Sequence, residues 1–123
     1  MKNNNNSIGH MGEAIAVKHI LAKGYAIIDR NYSTPFGEID IIARRGEYLV
    51  FVEVKTRTTD EFDSPLFAIT PYKKNCMIKN AFYYIKRKGL IDPVCRIDVI
   101  AIKLDLDGKL ETLEHIENAV EIE

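Results

Sequence analysis

The sequence predicts a single α/β domain with one β-sheet and helices packed against it, and three observations predict it. Two neighbouring β-forming runs, Glu38 to Ala43 and Tyr48 to Thr56, flank the dipeptide Gly46-Glu47. A helical run follows, with Ile78, Ala81, Phe82 and Ile85 at the spacing of one helix face. A third apolar β-forming run, Val94 to Leu104, comes after that helix. Alternation of this kind belongs to a layered α/β domain. The expected order is helix, three strands, helix, two strands.

Residues 1–6, largely Asn, offer nothing to bury and are expected to be disordered, leaving 7–123 as the domain. The first helix is expected from about Ser7 or His10 to Lys23, with Ala14, Val17 and Leu21 as its apolar stripe. Gly24 is placed to end it in the left-handed conformation. Tyr25 to Asp29 reads as a short strand, and Asn31 to Phe36 as a loop. In the hairpin, a two-residue turn with Gly first is the type II′ signature, which pairs Arg45 with Tyr48. Asp40 then lies across from Glu53, and Glu38 across from Lys55. Period-2 alternation places these four charges on the face of Ile42, Leu49 and Phe51, with Val50, Val52 and Val54 on the other. Thr58 to Phe67 reads as a loop. Thr70-Pro71 supplies an N-cap with Pro at the first helical position, and that helix runs to about Lys88 before Gly89. After Val94 to Leu104, Asp107-Gly108 turns the chain into a last strand, about Lys109 to His115.

A length of 123 residues suits one core, and the 46% hydrophobic and 28% charged shares are those of an ordinary globular chain. No apolar run approaches the ~20 residues that span a bilayer, and MKNNNNSIG has no apolar centre, so neither a membrane span nor a signal peptide is expected and the cytoplasm is the expected compartment. Cys76 and Cys95 read as free thiols, and His10, His19 and His115 are too scattered in sequence to suggest zinc. The net charge of −1 hides an asymmetry. Pro71 to Leu90 carries Lys73, Lys74, Lys79, Lys86, Arg87 and Lys88 and no acid, whereas Asp105 to Glu123 is strongly acidic. A basic segment of this sort is either a solvated helix face or a local phosphate-binding surface.

The four hairpin charges carry the chemistry. Two carboxylates facing each other across a strand pair repel unless a cation neutralises them. Mg²⁺, with Mn²⁺ as a substitute, takes one or two protein carboxylates and binds substrate phosphate, which suits Asp40 and Glu53. Lys55 on the same face is placed to hold an attacking water or the charged phosphorane oxygens. These parts describe phosphodiester hydrolysis. The alternative is an ordinary solvated face with a Glu38–Lys55 salt bridge worth under ~1 kcal/mol. Glu13 lies four residues before Val17 and seven before Ile20, so it leans inward as either a third acid at the metal or a plain helix N-terminal carboxylate. Lys73 and Lys74 stand in the first turn of their helix, where cations oppose the dipole and free N–H groups attract anions. Arg57 and Lys79 are further candidate phosphate contacts. Tyr72, Tyr83 and Tyr84 are either stacking surfaces for unpaired bases or packed core.

The sequence resembles the YraN family of bacterial proteins, within the PD-(D/E)XK restriction-endonuclease-like superfamily. Gly12-Glu13, the GEID of Gly37 to Asp40, the FVEVKTR of Phe51 to Arg57, Ile69-Thr70 with Lys73, the CRIDVIAI of Cys95 to Ile102 and Asn118-Ala119 carry the resemblance. It implies a restriction-endonuclease-like core, a central mixed sheet flanked by helices. It implies Asp40, Glu53 and Lys55 as a metal-dependent catalytic set, with Glu13 as an added helical acid. The expected activity is that of a metal-dependent nuclease, an endonuclease or exonuclease, with DNA the expected partner. A non-catalytic nucleic-acid-binding module is the alternative, and a homodimer or other protein partner is compatible with the small core. The chain departs from the pattern at Ile39, where the superfamily motif has Pro, at Ile97 and Val120, which replace aromatic residues, and at Asp63, where Gly is frequent. Asp98 lies on a strand face it shares with Arg96, and an ion pair between them is not expected from one strand's geometry.

Overall fold

The computed structural model describes residues 4–58 and 69–122. Its elements are α1 (Asn4–Ala22), β1 (Ala26–Thr34), β2 (Gly37–Arg45), β3 (Tyr48–Thr58), α2 (Pro71–Arg87), β4 (Cys95–Leu104) and β5 (Leu110–Val120), in the expected order. The strands form one sheet in the order β1-β2-β3-β4-β5. The β3–β4 pair is parallel and the others are antiparallel, so the sheet is mixed. A parallel pair needs a long crossover, and α2 lies within it.

Each helix covers one face. On one side Ala16 and Ile20 of α1 pack with Ile41, Ala43, Val50, Val52, Ile100 and Ile102. On the other, Met77, Ala81 and Tyr84 of α2 pack with Ile42, Leu49, Phe51, Ile97 and Val99. Burial on both faces explains why the central strands read as nearly unbroken apolar runs. The division of the hairpin's apolar residues between the faces is the expected one, with Val54 also against the α1 cluster. The register is as expected from Ile41↔Val52 to Arg45↔Tyr48, but the ladder stops there: the expected pairings of Asp40 with Glu53 and of Glu38 with Lys55 do not form, and Glu38 pairs with Ser33 of β1 instead. Gly46 has φ 59 and Glu47 is not in the positive-φ region, in keeping with a type II′ turn.

Several local expectations are corrected. α1 begins at Asn4, so residues 4–6 are helical. The buried stripe of α1 is Gly12, Ala16 and Ile20, while Ala14 is exposed and Leu21 is half exposed. Apolar residues lie all round this helix, so its sequence does not mark the contact face. Gly12 does: a Cβ there would fall 1.9 Å from Thr56 Oγ1, so only glycine lets the helix approach β3 this closely. In α2 the buried positions are Met77, Asn80, Ala81 and Tyr84, and Phe82 turns outward. Strand β1 continues through Asn31 to Thr34 instead of ending at Asp29, with a bulge between Ile27 and Asp29 and Asn31 at φ 52. β5 extends to Val120 with its own irregularity and Asn118 at φ 52. The two positions that depart from the aromatic pattern, Ile97 and Val120, oppose each other in the β4–β5 ladder and share the α2-side cluster. Asp63 and most of the expected loop from Thr58 to Phe67 lie outside the described residues. The α2 N-cap is as expected: Thr70 Oγ1 accepts from Lys73 N at 3.1 Å.

Candidate functional site

Strands β2 and β3 part company at Asp40. Their ladder runs only as far as Ile41↔Val52, whereas β2 goes on pairing with β1 through Ile39, Glu38 and Gly37. Side-chain alternation breaks at the same point, because Ile41 lies in the α1-side cluster and Ile39 in the α2-side cluster. In place of a ladder partner, Val54 N–H donates to Asp40 Oδ2 at 2.8 Å. The carboxylate thus fills the fork between two diverging strands.

Burial pushes the Asp40 carboxyl up to about 7, and the nearby carboxylates of Glu53, Glu13 and Glu38 add to the rise against the Val54 hydrogen bond. Glu53, Glu13 and Glu38 therefore all stand in electrostatic reach of Asp40, although the ladder no longer pairs Asp40 with Glu53. Among the described residues, no three His, Cys, Asp or Glu groups stand close enough to form a ready metal cage. Glu38 and Glu53 share the wall of a small cavity with Ile39, Phe51, Met77 and Asn80. Glu13 reaches over from α1, where Asn31 Nδ2 donates to its Oε1 at 3.0 Å and Arg30 stands at 4.0 Å.

The cations are distributed unevenly. Lys73 Nζ lies 3.4 Å from Glu53 Oε2, so α2 presents its first-turn lysine to the site. Lys55 is half-buried on β3, two residues beyond Glu53. Among the described residues it makes no ion pair, so the Glu38–Lys55 salt bridge of an ordinary solvated face does not form. Arg57, two residues further along β3, is half-buried. Lys74 is not gathered with Glu53; it lines a separate groove with Asn118 and Glu121. Lys79 stands 5.5 Å over the half-exposed ring of Phe36. Tyr72 is 78% exposed, whereas Tyr84 is core, packed edge-on against Tyr32 and Phe51, so Tyr84 is not a stacking surface.

A second polar cluster was not legible in the sequence. Asp98 is fully buried, and Arg96 Nε donates to its Oδ1 at 2.9 Å, so the ion pair not expected from a single strand does form. Residues two apart share a strand face, and the guanidinium is long enough to fold back along it. His115 Nε2 lies 2.8 Å from Asp98 Oδ2, and Asn118 N donates to Oδ1 at 2.9 Å. Burial is the largest influence on Asp98 and pushes its carboxyl upward, but the bonds from His115, Arg96 and Asn118 outweigh it and leave it below the usual range. His19 and His115, scattered in sequence, meet at 3.3 Å. A count of His spacings misses this because α1 and β5 lie far apart in the chain and touch only once the sheet is assembled.

The family described as "Uncharacterised protein family UPF0102" matches residues 12–102. A UPF0102 protein of Geotalea uraniireducens is 43% identical over 118 residues, covering 96% of this chain and 92% of that one. A UPF0102 protein of Thermodesulfovibrio yellowstonii is 46% identical over 112 residues, covering 91% and 94%. Among solved structures, SfsA of Pyrococcus furiosus in complex with Ca²⁺ aligns with a TM-score of 0.41 at 17% identity, and the chain, 96% covered, spans 65% of that protein's length.

Proposed function

We propose that this chain, which belongs to the uncharacterised protein family UPF0102, is a metal-dependent nuclease whose site is the fork between β2 and β3. The observation that carries the reading is Asp40. A half-buried carboxylate at the end of the β2–β3 ladder, in the field of Glu53, Glu13 and Glu38 and lifted to about 7, is unfavourable when ionised, and a cation relieves that repulsion. Such an environment fits a hard divalent ion with oxygen ligands. Asp40 and Glu53 are the residues to hold Mg²⁺ or Mn²⁺, with Glu13 as the third acid. When bound, the ion supplies Lewis-acid polarisation of a phosphoryl oxygen and an acidified water.

The chain's own groups do the rest. The Val54 N–H fixes one Asp40 oxygen and leaves the other to the site. Lys55, which has no ion-pair partner among the described residues, directs its ammonium to the attacking water or to the negative charge that grows on the phosphorus oxygens. Arg57, Lys73 and Lys79 are the positions to hold flanking phosphates, with DNA the expected polymer and Lys74 set apart from them. The test is cleavage of DNA and RNA by purified protein with Mg²⁺ or Mn²⁺, compared with Asp40→Ala. Loss of cleavage in a folded variant supports the reading, and equal cleavage by both proteins removes it.

One observation favours a second reading, a nucleic-acid-binding module without catalysis. The acids among the described residues do not already form a cage. Binding that weakens steeply with salt, with no cleavage under either metal, is the outcome that selects it.

A further inference from the structure

Lys73 occupies an unusual position for a lysine. It sits in the first turn of α2, where the helix dipole disfavours a cation, and no acid lies in that turn. Its ammonium instead reaches across to β3 and stands 3.4 Å from Glu53 Oε2. The Glu53 side chain is only 15% exposed and lies in the electrostatic field of Asp40. Among the described residues, the Lys73 ammonium is therefore the positive charge paired with that carboxylate. A divalent ion held by Glu53 would face the same ammonium as a like charge, so the ion and Lys73 compete for one oxygen.

A nucleic-acid phosphate changes that competition. It offers the ammonium an anion outside the acidic fork, next to a helix start that itself favours anions. We propose that Lys73 is the resident counter-cation of the metal site, and that a substrate phosphate draws it off Glu53, so that divalent cation and nucleic acid bind cooperatively. The inference rests on the metal-dependent reading above and adds an order to it: the site loads its ion best when substrate is present. Because coupling between two ligands is reciprocal, the ion must tighten nucleic-acid binding by the same factor. Lys73 is a positioning residue in this scheme, acting through Glu53.

Mn²⁺ titration followed by electron paramagnetic resonance tests the inference without turnover. The full chain carrying Lys55→Ala keeps a DNA oligonucleotide intact, and Lys73→Gln and Lys73→Arg are each added to it. The expected result is an Mn²⁺ affinity about two- to fivefold higher with Lys73→Gln in the absence of DNA, on the scale of one partly exposed charge pair. Lys73→Arg, which keeps the charge, is expected to restore the lower affinity. With Lys73 present, the oligonucleotide raises Mn²⁺ affinity by a similar factor, and with Lys73→Gln that gain disappears. Equal Mn²⁺ affinity with and without the Lys73→Gln substitution, or a gain from DNA that survives it, overturns this inference and leaves the metal site standing. No Mn²⁺ bound by any of the proteins overturns both.

Discussion

The Asp40 carboxylate accepts the N–H of Val54 at 2.8 Å at the point where the β2–β3 ladder ends. A ladder needs a backbone carbonyl there, and the chain supplies an acid instead. The substitution satisfies the backbone donor and places a carboxylate among three others.

Stability without metal should turn on Asp40. Its folded-state pKa, about 7, lies above the ~3.9 of an unfolded aspartate, so its contribution is fully present below about pH 4. It is lost as pH rises through 7, where the buried group must ionise. Asp40→Asn keeps an acceptor for Val54 and removes the charge. Thermal melts with chelator at pH 8 should show the variant more stable than the parent, by on the order of a few kcal/mol. The difference should shrink towards pH 4.

Metal binding should follow the opposite trend. The cation needs Asp40 ionised, so binding below pH 7 releases a proton. Mn²⁺ affinity measured by titration should climb as pH rises from about 5 through 7 and level off above it. An affinity that is flat over that range would show that Asp40 is not a ligand.

Gly12 should not tolerate a side chain. The added methyl of Gly12→Ala meets Thr56 Oγ1 at 1.9 Å, and α1 must lift from β3 to relieve it. Overpacking of this kind costs roughly 1–3 kcal/mol, readable as a lower midpoint in urea. Since Glu13 is the next residue, Mn²⁺ affinity should fall along with stability.

Asp98 should prove structural. It collects Arg96, His115 and the Asn118 amide, so Asp98→Ala removes the main partner of a half-buried guanidinium, leaves the buried His115 ring and the Asn118 N–H without their acceptor, and frees the β5 irregularity. Breaking a buried charged network costs about 3–5 kcal/mol. Urea unfolding should show that loss, while Mn²⁺ affinity at a pH and temperature where the variant stays folded should be unchanged.

The hairpin was legible because its signals are local: Gly46 fixes the turn, the turn fixes the register, and β-branched residues fill both strands. That alone brought Asp40 and Glu53 towards each other. The break in alternation at Asp40 was not legible, since it depends on β2 following β1 rather than β3. The α1 contact face was hidden for a related reason. Gly12 reads as a weak helix former, and its role appears only against Thr56. Likewise Asn31 reads as a loop residue, yet its left-handed backbone sits inside an edge strand and its side chain donates to Glu13. The Arg96–Asp98–His115 cluster joins two strands with α1 alongside, and no spacing rule in one chain segment encodes that meeting.

Lys55→Ala gives the most direct test of a metal-dependent nuclease at this fork, when Mn²⁺ binding and Mn²⁺-dependent DNA cleavage are measured on the same preparation. The account predicts a folded variant that binds Mn²⁺ as the parent does and no longer cuts. Cleavage by Lys55→Ala at the parent's rate, or no cleavage by the parent under either metal, would contradict it.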